Sequence, residues 1–274
     1  MTRASLVRRR VGVLLHPTAL PGTPVCGGLG DAARAWIRAL ADNGIGLWQV
    51  LPLSPPDGTG SPYSSPSSFA INPWLLDARD LSDQGFLQSG DLESLPGAES
   101  AGSEVDFPLA NRRASVLAER LIACWDQQPR SRRAAFERWR RDQSSWLVDH
   151  ATFMVLRDQN HGRPWWEWPQ ELAVHDQKAL GNWRLEHQSR LLEQELLQWH
   201  LSRQWMQLRK LATALDVDIL GDIPFYVARD SADVWSHRPL FSIAADGRLR
   251  EQSGVPPDYF SATGQLWGTP VYSW

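Results

Sequence analysis

Two short apolar runs, residues 11–16 and 47–53, stand on either side of one amphipathic stretch. That arrangement constrains the fold more than anything else in the chain. Each run is too short for a typical helix, is rich in Val and Leu, and is closed by proline, Pro17 after the first and Pro55-Pro56 after the second. Both read as strands, the first as a fully buried one because nothing polar interrupts it before His16. Between them Leu29, Ala33, Trp36, Ile37 and Leu40 fall on one face of a helix over residues 29–42, which Gly44 and Gly46 end. Strand, helix and strand in so short a span make a βαβ unit, so the two strands are expected to run parallel. Trp36 and Trp48, on the apolar helix face and the buried strand, are expected in the core.

Residues 57–68 are rich in Gly, Ser and Pro and read as a loop, in the place where α/β proteins keep their sites. From 75 to about 210 the pattern is helical, with amphipathic stretches at 112–125, 144–157 and 188–215 and a mostly charged, solvated one at 130–141. The strand pattern resumes at 217–223. Asp230 or Ser231 then caps a short helix, and residues 244–274, dominated by Gly, Pro and aromatics, read as loop. The expected divisions are 1–56, the first βαβ unit; 57–205, a loop and a largely helical insertion; and 206–274, a further strand and an aromatic loop. The fold class is α/β, and three core strands suit either a small α/β domain or the beginning of a larger parallel barrel.

A formal net charge of -3 leaves no basic footprint for nucleic acid. No run of about 18 apolar residues offers a membrane span. Arg8, Arg9 and Arg10 before an apolar run imitate a signal peptide, but the run is too short and lacks a cleavage site, so a cytoplasmic chain is expected. Cys26 and Cys124 are expected as two reduced thiols. Neither they nor the 7 His show ligand spacing, and no Gly-rich phosphate loop follows a strand, so no metal or cofactor is expected. The informative excess is Trp, 15 residues of 274. Indole suits the C–H faces of sugar rings, and it equally suits a core.

Four stretches carry a specific resemblance. They are Val-Gly-Val-Leu-Leu-His-Pro-Thr-Ala-Leu-Pro-Gly at 11–22 with Leu-Gly-Asp at 29–31; Leu-Trp-Gln-Val-Leu-Pro-Leu at 47–53 with Ser-Pro-Tyr at 61–63 and Phe-Ala-Ile-Asn-Pro at 69–73; Gly-Asp-Ile-Pro-Phe-Tyr-Val-Ala at 221–228 with Asp-Ser-Ala-Asp-Val-Trp at 230–235; and Gly-Val-Pro-Pro-Asp-Tyr-Phe-Ser-Ala-Thr-Gly-Gln-Leu-Trp-Gly at 254–268. In content and order they resemble the amylomaltases, the 4-alpha-glucanotransferases that include the plant disproportionating enzyme. The resemblance implies a (β/α)₈ TIM barrel of which this chain holds the first three or so strands, with a large helical insertion. It also implies transfer of α-1,4-glucan segments to a glucose or maltodextrin acceptor by a retaining double displacement. In that chemistry two carboxyl groups about 5–5.5 Å apart act as nucleophile and as acid/base.

The same resemblance places the nucleophilic Asp and acid/base Glu beyond Trp274, so no catalytic carboxylate is expected within the chain, and a C-terminal half supplied separately is a possible partner. What it assigns here are glucan contacts. Tyr63 matches a tyrosine near the cleavage point, with a turn tyrosine as the bland alternative. Asp222 matches an aspartate that helps hold the cleaved sugar, with a structural or capping Asp as a close second. Tyr259, Phe260, Gln265 and Trp267 match a loop lying over the glucan, although packing against a further part of the protein would also explain exposed rings. Gly-Gly-Leu-Gly at 27–30 lacks the family's usual carboxylate, Val-Asp-Phe at 105–107 lacks its tyrosine hydroxyl, and Ser-Ser-Pro at 64–66 replaces a polar-aromatic pair. The rival expectations are a non-catalytic α-glucan-binding module and a poorly soluble relic with an open sheet edge.

Overall fold

The computed structural model describes residues 9–21, 24–88, 90–99 and 104–274. The chain divides into two compact units, each assembled from separate stretches. The first comprises residues to Leu53, Ile71–Arg133 and Leu196–Asp222. Its centre is a three-stranded parallel sheet of β1 (Gly12–Leu14), β2 (Leu47–Gln49) and β3 (Asp218–Leu220), in that spatial order. The helix Asp31–Asp42 makes the crossover between β1 and β2 and buries Ala33, Ile37 and Leu40, so the expected βαβ unit is present with its parallel strands. Trp48 lies fully buried at the middle of β2, and its indole N–H donates to the Leu15 carbonyl at 2.7 Å. Trp36 is only partly buried.

The first strand is not fully buried, contrary to the reading of its sequence. Val11 is 68% exposed and Leu14 54%. β1 is an edge strand, hydrogen-bonded on one side only among the described residues. The register sets Leu14, Gln49 and Leu220 in one row, one residue out of step with Trp48. Side chains alternate between faces along a strand. The row of Leu14 and Leu220 therefore stands on the face opposite Trp48, and Leu220 is also exposed. An unbroken apolar run cannot distinguish an edge strand from a central one.

The long helix over Gln188–Ala214 carries two buried glutamines six residues apart. Gln198 accepts from the Ile71 N–H at 2.8 Å and donates to the Ile71 carbonyl at 2.9 Å. Gln204 repeats the pattern on Asp77, at 3.0 and 2.9 Å, and donates at 3.1 Å to Asp80 as well. Two side-chain amides thus do for the 71–77 segment what a neighbouring strand would do, satisfying backbone groups that burial would otherwise leave unpaired.

The second unit comprises Ser54–Ala70, Ala134–Glu195 and Ile223–Trp274. Its core collects Phe153 and Leu156 from helix Leu147–Gln159, Val234 and Trp235 from helix Ala232–Ser236, and Trp165 and Trp168 between them in sequence. Each of these three indoles finds an acceptor: Trp165 donates to Arg229 O, Trp168 to Arg163 O and Trp235 to Leu172 O, at 2.8–2.9 Å. Buried indoles with satisfied N–H groups account for part of the Trp excess without any ligand. His150 is fully buried on helix Leu147–Gln159, and loss of solvation pushes its pKa down to about 4. Ser231 caps the helix Ala232–Ser236, its hydroxyl accepting from Val234 N at 3.2 Å.

The amphipathic stretches at 112–125, 144–157 and 188–215 are found as helices Phe107–Ala123, Leu147–Gln159 and Gln188–Ala214. The tail is different. Residues 244–274 are not simply loop but hold an antiparallel hairpin of β4 (Gln252–Val255) and β5 (Gln265–Pro270). The glycines that look like loop residues are what make the pairing possible. A Cβ on Gly254 would fall against the Gln265 carbonyl, well inside van der Waals contact, and Gly264 turns the chain at φ +73°. Both cysteines are free thiols.

Candidate functional site

The hairpin carries most of the sequence-predicted site. Gln265 and Trp267 lie on β5, two residues apart and hence on one face of it, and the Trp267 indole N–H donates to Gln265 Oε1 at 3.1 Å. Tyr226 approaches Trp267 with ring centroids 6.4 Å apart and stacks on Tyr272 at 6.1 Å. Tyr226 was not singled out by its sequence, where it sits among six other residues of equal interest in the 221–228 motif. Between the strands, Asp258 Oδ1 accepts from the N–H groups of both Phe260 and Ser261, at 2.9 and 2.8 Å. That carboxylate shapes the turn on which Tyr259 and Phe260 stand edge to face, centroids 5.5 Å apart.

The rings at this turn are open to solvent. Tyr259 is 96% exposed and Phe260 88%, and Trp267 is nearly half exposed. Apolar rings fixed in water by a dedicated hydrogen-bonded turn are costly unless something lies against them. A flat sugar face, with its own hydroxyls left for solvent, is one such thing, and the adjacent Gln265 amide can donate and accept.

Tyr63 belongs to the same unit, on a loop with its own scaffolding. Asp57 accepts from Thr59 N, Thr59 Oγ1 and Ser61 N, at 2.6–3.1 Å. Burial pulls the Asp57 carboxyl upward, but those bonds and the charge of Arg157 together hold it below the usual range. Ser54 Oγ donates to the Pro62 carbonyl just before Tyr63. Further on, Ser68 N donates to Asp233 and Ala232 N to Pro66 O, which ties the loop to the helix Ala232–Ser236. Asp233 is pushed up by burial, against the hydrogen bond from Ser68.

Asp222 lies in the first unit, two residues beyond the end of β3, and is partly buried. The strand pattern placed it at a strand end, and the strand closes at Leu220 instead. Tyr63, Tyr259, Phe260, Gln265 and Trp267 thus share one unit, within which the hairpin brings the last four together, while Asp222 stands in the other. Among the described residues no group of three or more His, Cys, Asp or Glu is placed to hold a metal ion. No helix among them is long and apolar enough to cross a membrane.

A family model described as 4-alpha-glucanotransferase (glycoside hydrolase 77) matches residues 15–274. The chain belongs to that family. The 4-alpha-glucanotransferase of Thermus thermophilus is 40% identical over 97% of this chain, and that of Synechocystis 38% over 98%. The chloroplastic/amyloplastic 4-alpha-glucanotransferase of Oryza sativa subsp. japonica is 38% identical over 97%. Among solved structures, the amylomaltase of Streptococcus agalactiae in complex with acarbose superimposes with a TM-score of 0.90 at 30% identity. That superposition covers 97% of this chain and 54% of the amylomaltase. The chain spans about half the length of the relatives it matches: 52%, 53% and 45% of those three glucanotransferases. The glucanotransferase match takes in Tyr63, Asp222 and the whole aromatic hairpin.

Proposed function

We propose that this chain is the N-terminal portion of a cytoplasmic 4-alpha-glucanotransferase and supplies part of its glucan-holding surface. Its parallel sheet is the beginning of a (β/α)₈ barrel, a reading supported by the β1-β2-β3 order and by the amylomaltase superposition. The reaction is a retaining double displacement on an α-1,4-glucan. One carboxylate attacks the anomeric carbon while a second carboxyl group protonates the departing glycosidic oxygen. That group then takes the proton from an acceptor sugar hydroxyl, which displaces the enzyme carboxylate. Both carboxyl groups are assigned to the part of the relatives' length that this chain does not span. Its own share is contact: Tyr63 and Asp222 near the cleaved bond, Tyr259, Phe260 and Trp267 as ring platforms, and Gln265 as a hydroxyl partner.

One observation carries this reading. Tyr259 and Phe260 stand almost fully in water on a turn that Asp258 holds in shape. The test is a titration of the purified chain with maltoheptaose followed by Trp fluorescence, with glucose release from maltotriose measured alongside. Binding that quenches fluorescence in the wild type, and weakens about tenfold in Trp267→Ala, is expected; loss of one good stacking contact has about that size. Undiminished binding in Trp267→Ala would refute the platform. Glucose release that survives rigorous purification would show a carboxylate pair within these residues and overturn that part of the proposal. Binding without turnover is also what a non-catalytic glucan-binding module would show. The two part when the second half of a relative is added, since only the enzyme portion gains turnover.

A further inference from the structure

A cavity of about 520 Å³ lies within the second unit, and no residue of the aromatic hairpin's turn lines it. Its wall is apolar where Trp235, Phe241 and Ile243 close it, and Arg238, Arg250 and Ser273 are among its polar lining. No carboxylate lines it. The nearby ones are spoken for: Asp149 holds Arg184 at 2.9 Å and His175 at 3.2 Å, and Asp246 holds Arg248 at 2.6 Å. Arg238 and Arg250 themselves have no ion-pair partner among the described residues, although this unit pairs Arg140, Arg157, Arg184, Arg190 and Arg248 with acids.

Arg238 is partly buried, with its guanidinium 5.3 Å from the Trp165 ring. Loss of solvation alone lowers its pKa, with no anion set against it. A half-desolvated guanidinium without a counter-ion costs free energy, which an incoming anion would recover. Two guanidiniums on one cavity are matched by the several oxygens of a phosphate, which accept from planar N–H forks. The apolar wall beside them asks for a ligand body with an apolar face.

The geometry points to a binding site for a small phosphorylated sugar, the phosphate on Arg238 and Arg250 and the C–H face of the ring toward Phe241 and Ile243. This is separate from the glucan contacts and does not depend on them, because none of Tyr63, Asp222, Tyr259, Phe260, Gln265 or Trp267 lines the cavity. Calorimetric titration of the purified chain with glucose 1-phosphate, glucose and inorganic phosphate at low ionic strength tests it. Glucose 1-phosphate is expected to bind more tightly than either of the others. Arg238→Ala and Arg250→Ala are each expected to weaken it about tenfold, the size of a lost charge-assisted hydrogen bond.

Arg248→Ala, which removes a nearby exposed arginine that is ion-paired to Asp246 and does not line the cavity, is expected to leave the affinity unchanged. Arg250→Glu, at an exposed position, is expected to abolish binding while the thermal transition stays in place. Inorganic phosphate binding as tightly as the sugar phosphate would overturn the assignment of a sugar. Binding equally weakened by Arg248→Ala, indifferent to all three arginines, or absent at millimolar ligand would overturn the site. Maltoheptaose quenching in the same samples reports the glucan reading separately, so either can fail alone.

Discussion

Gln204 offers the sharpest test of how the first unit is held together. Its amide is fully buried and makes three hydrogen bonds, with the N–H and carbonyl of Asp77 and with the Asp80 carboxylate. Gln204→Met keeps most of the side-chain volume and removes all three. Asp80 retains Gln84 as a donor to the same oxygen at 2.9 Å, so its loss is partial. The Asp77 N–H and carbonyl lose a partner each, at about 1–3 kcal/mol per buried group left unpaired, and a total near 3 kcal/mol is expected. For a chain of this size each kcal/mol moves the melting temperature by roughly 2–4 °C, so Tm should fall by roughly 10 °C. Gln204→Glu should be at least as damaging at neutral pH, because it loses both donated bonds and brings a negative charge to Asp80. Gln198→Met, with two bonds at stake, should fall between these and the wild type. Thermal and urea unfolding followed by circular dichroism measures all three. A Gln204→Met protein within about 0.5 kcal/mol of wild type would refute the argument, since apolar replacement would then satisfy the segment as well as the amide does.

Two further outcomes follow from single residues. His150 titrates near 6.5 when unfolded and is held down to about 4 in the fold by burial, so the folded chain binds fewer protons. Its contribution is complete above pH 6.5 and disappears as the pH falls toward 4, up to about 3 kcal/mol. A pH series of urea midpoints should show that loss, and His150→Phe should flatten it; an unchanged slope in the variant would assign the acid sensitivity elsewhere. Gly254→Val would drive a side chain into the Gln265 carbonyl and separate β4 from β5, so maltoheptaose quenching should be lost while far-UV helical signal is kept. Retained quenching would mean that the aromatic turn does not need the hairpin beneath it.

The βαβ unit was legible because periodicity and punctuation agree there: Leu29, Ala33, Ile37 and Leu40 share a face, and prolines close both strands. The long helix was legible to within a residue at its C-terminal end for the same reason. What its sequence hides is the role of its polar residues. Gln198, Gln204, Glu195 and His200 are all buried, and a polar residue in a helical pattern reads as solvated unless its partner is known. Those partners are distant in sequence, as Ile71 and Asp77 show. The hairpin was missed because glycine serves two purposes: Gly254 breaks a strand pattern by composition and permits strand pairing by its missing Cβ. The candidate site was legible as residue types, through the family motifs. That Asp222 stands in one unit and the five other candidate residues in the second was not, since each unit is threaded from three stretches of chain.

The order of the sheet bears on how the chain is made. β1 and β2 emerge from the ribosome close together, whereas β3 follows only after the entire helical stretch has been synthesised. At about 5–20 residues per second, the β2 edge waits on the order of ten seconds or more for its partner. During that time Leu47, Trp48 and Val50 present an unpaired, apolar border to their surroundings. The nascent chain is then at its most adhesive, and a chaperone that shields short apolar segments during translation would raise the yield more than any improvement to the finished core.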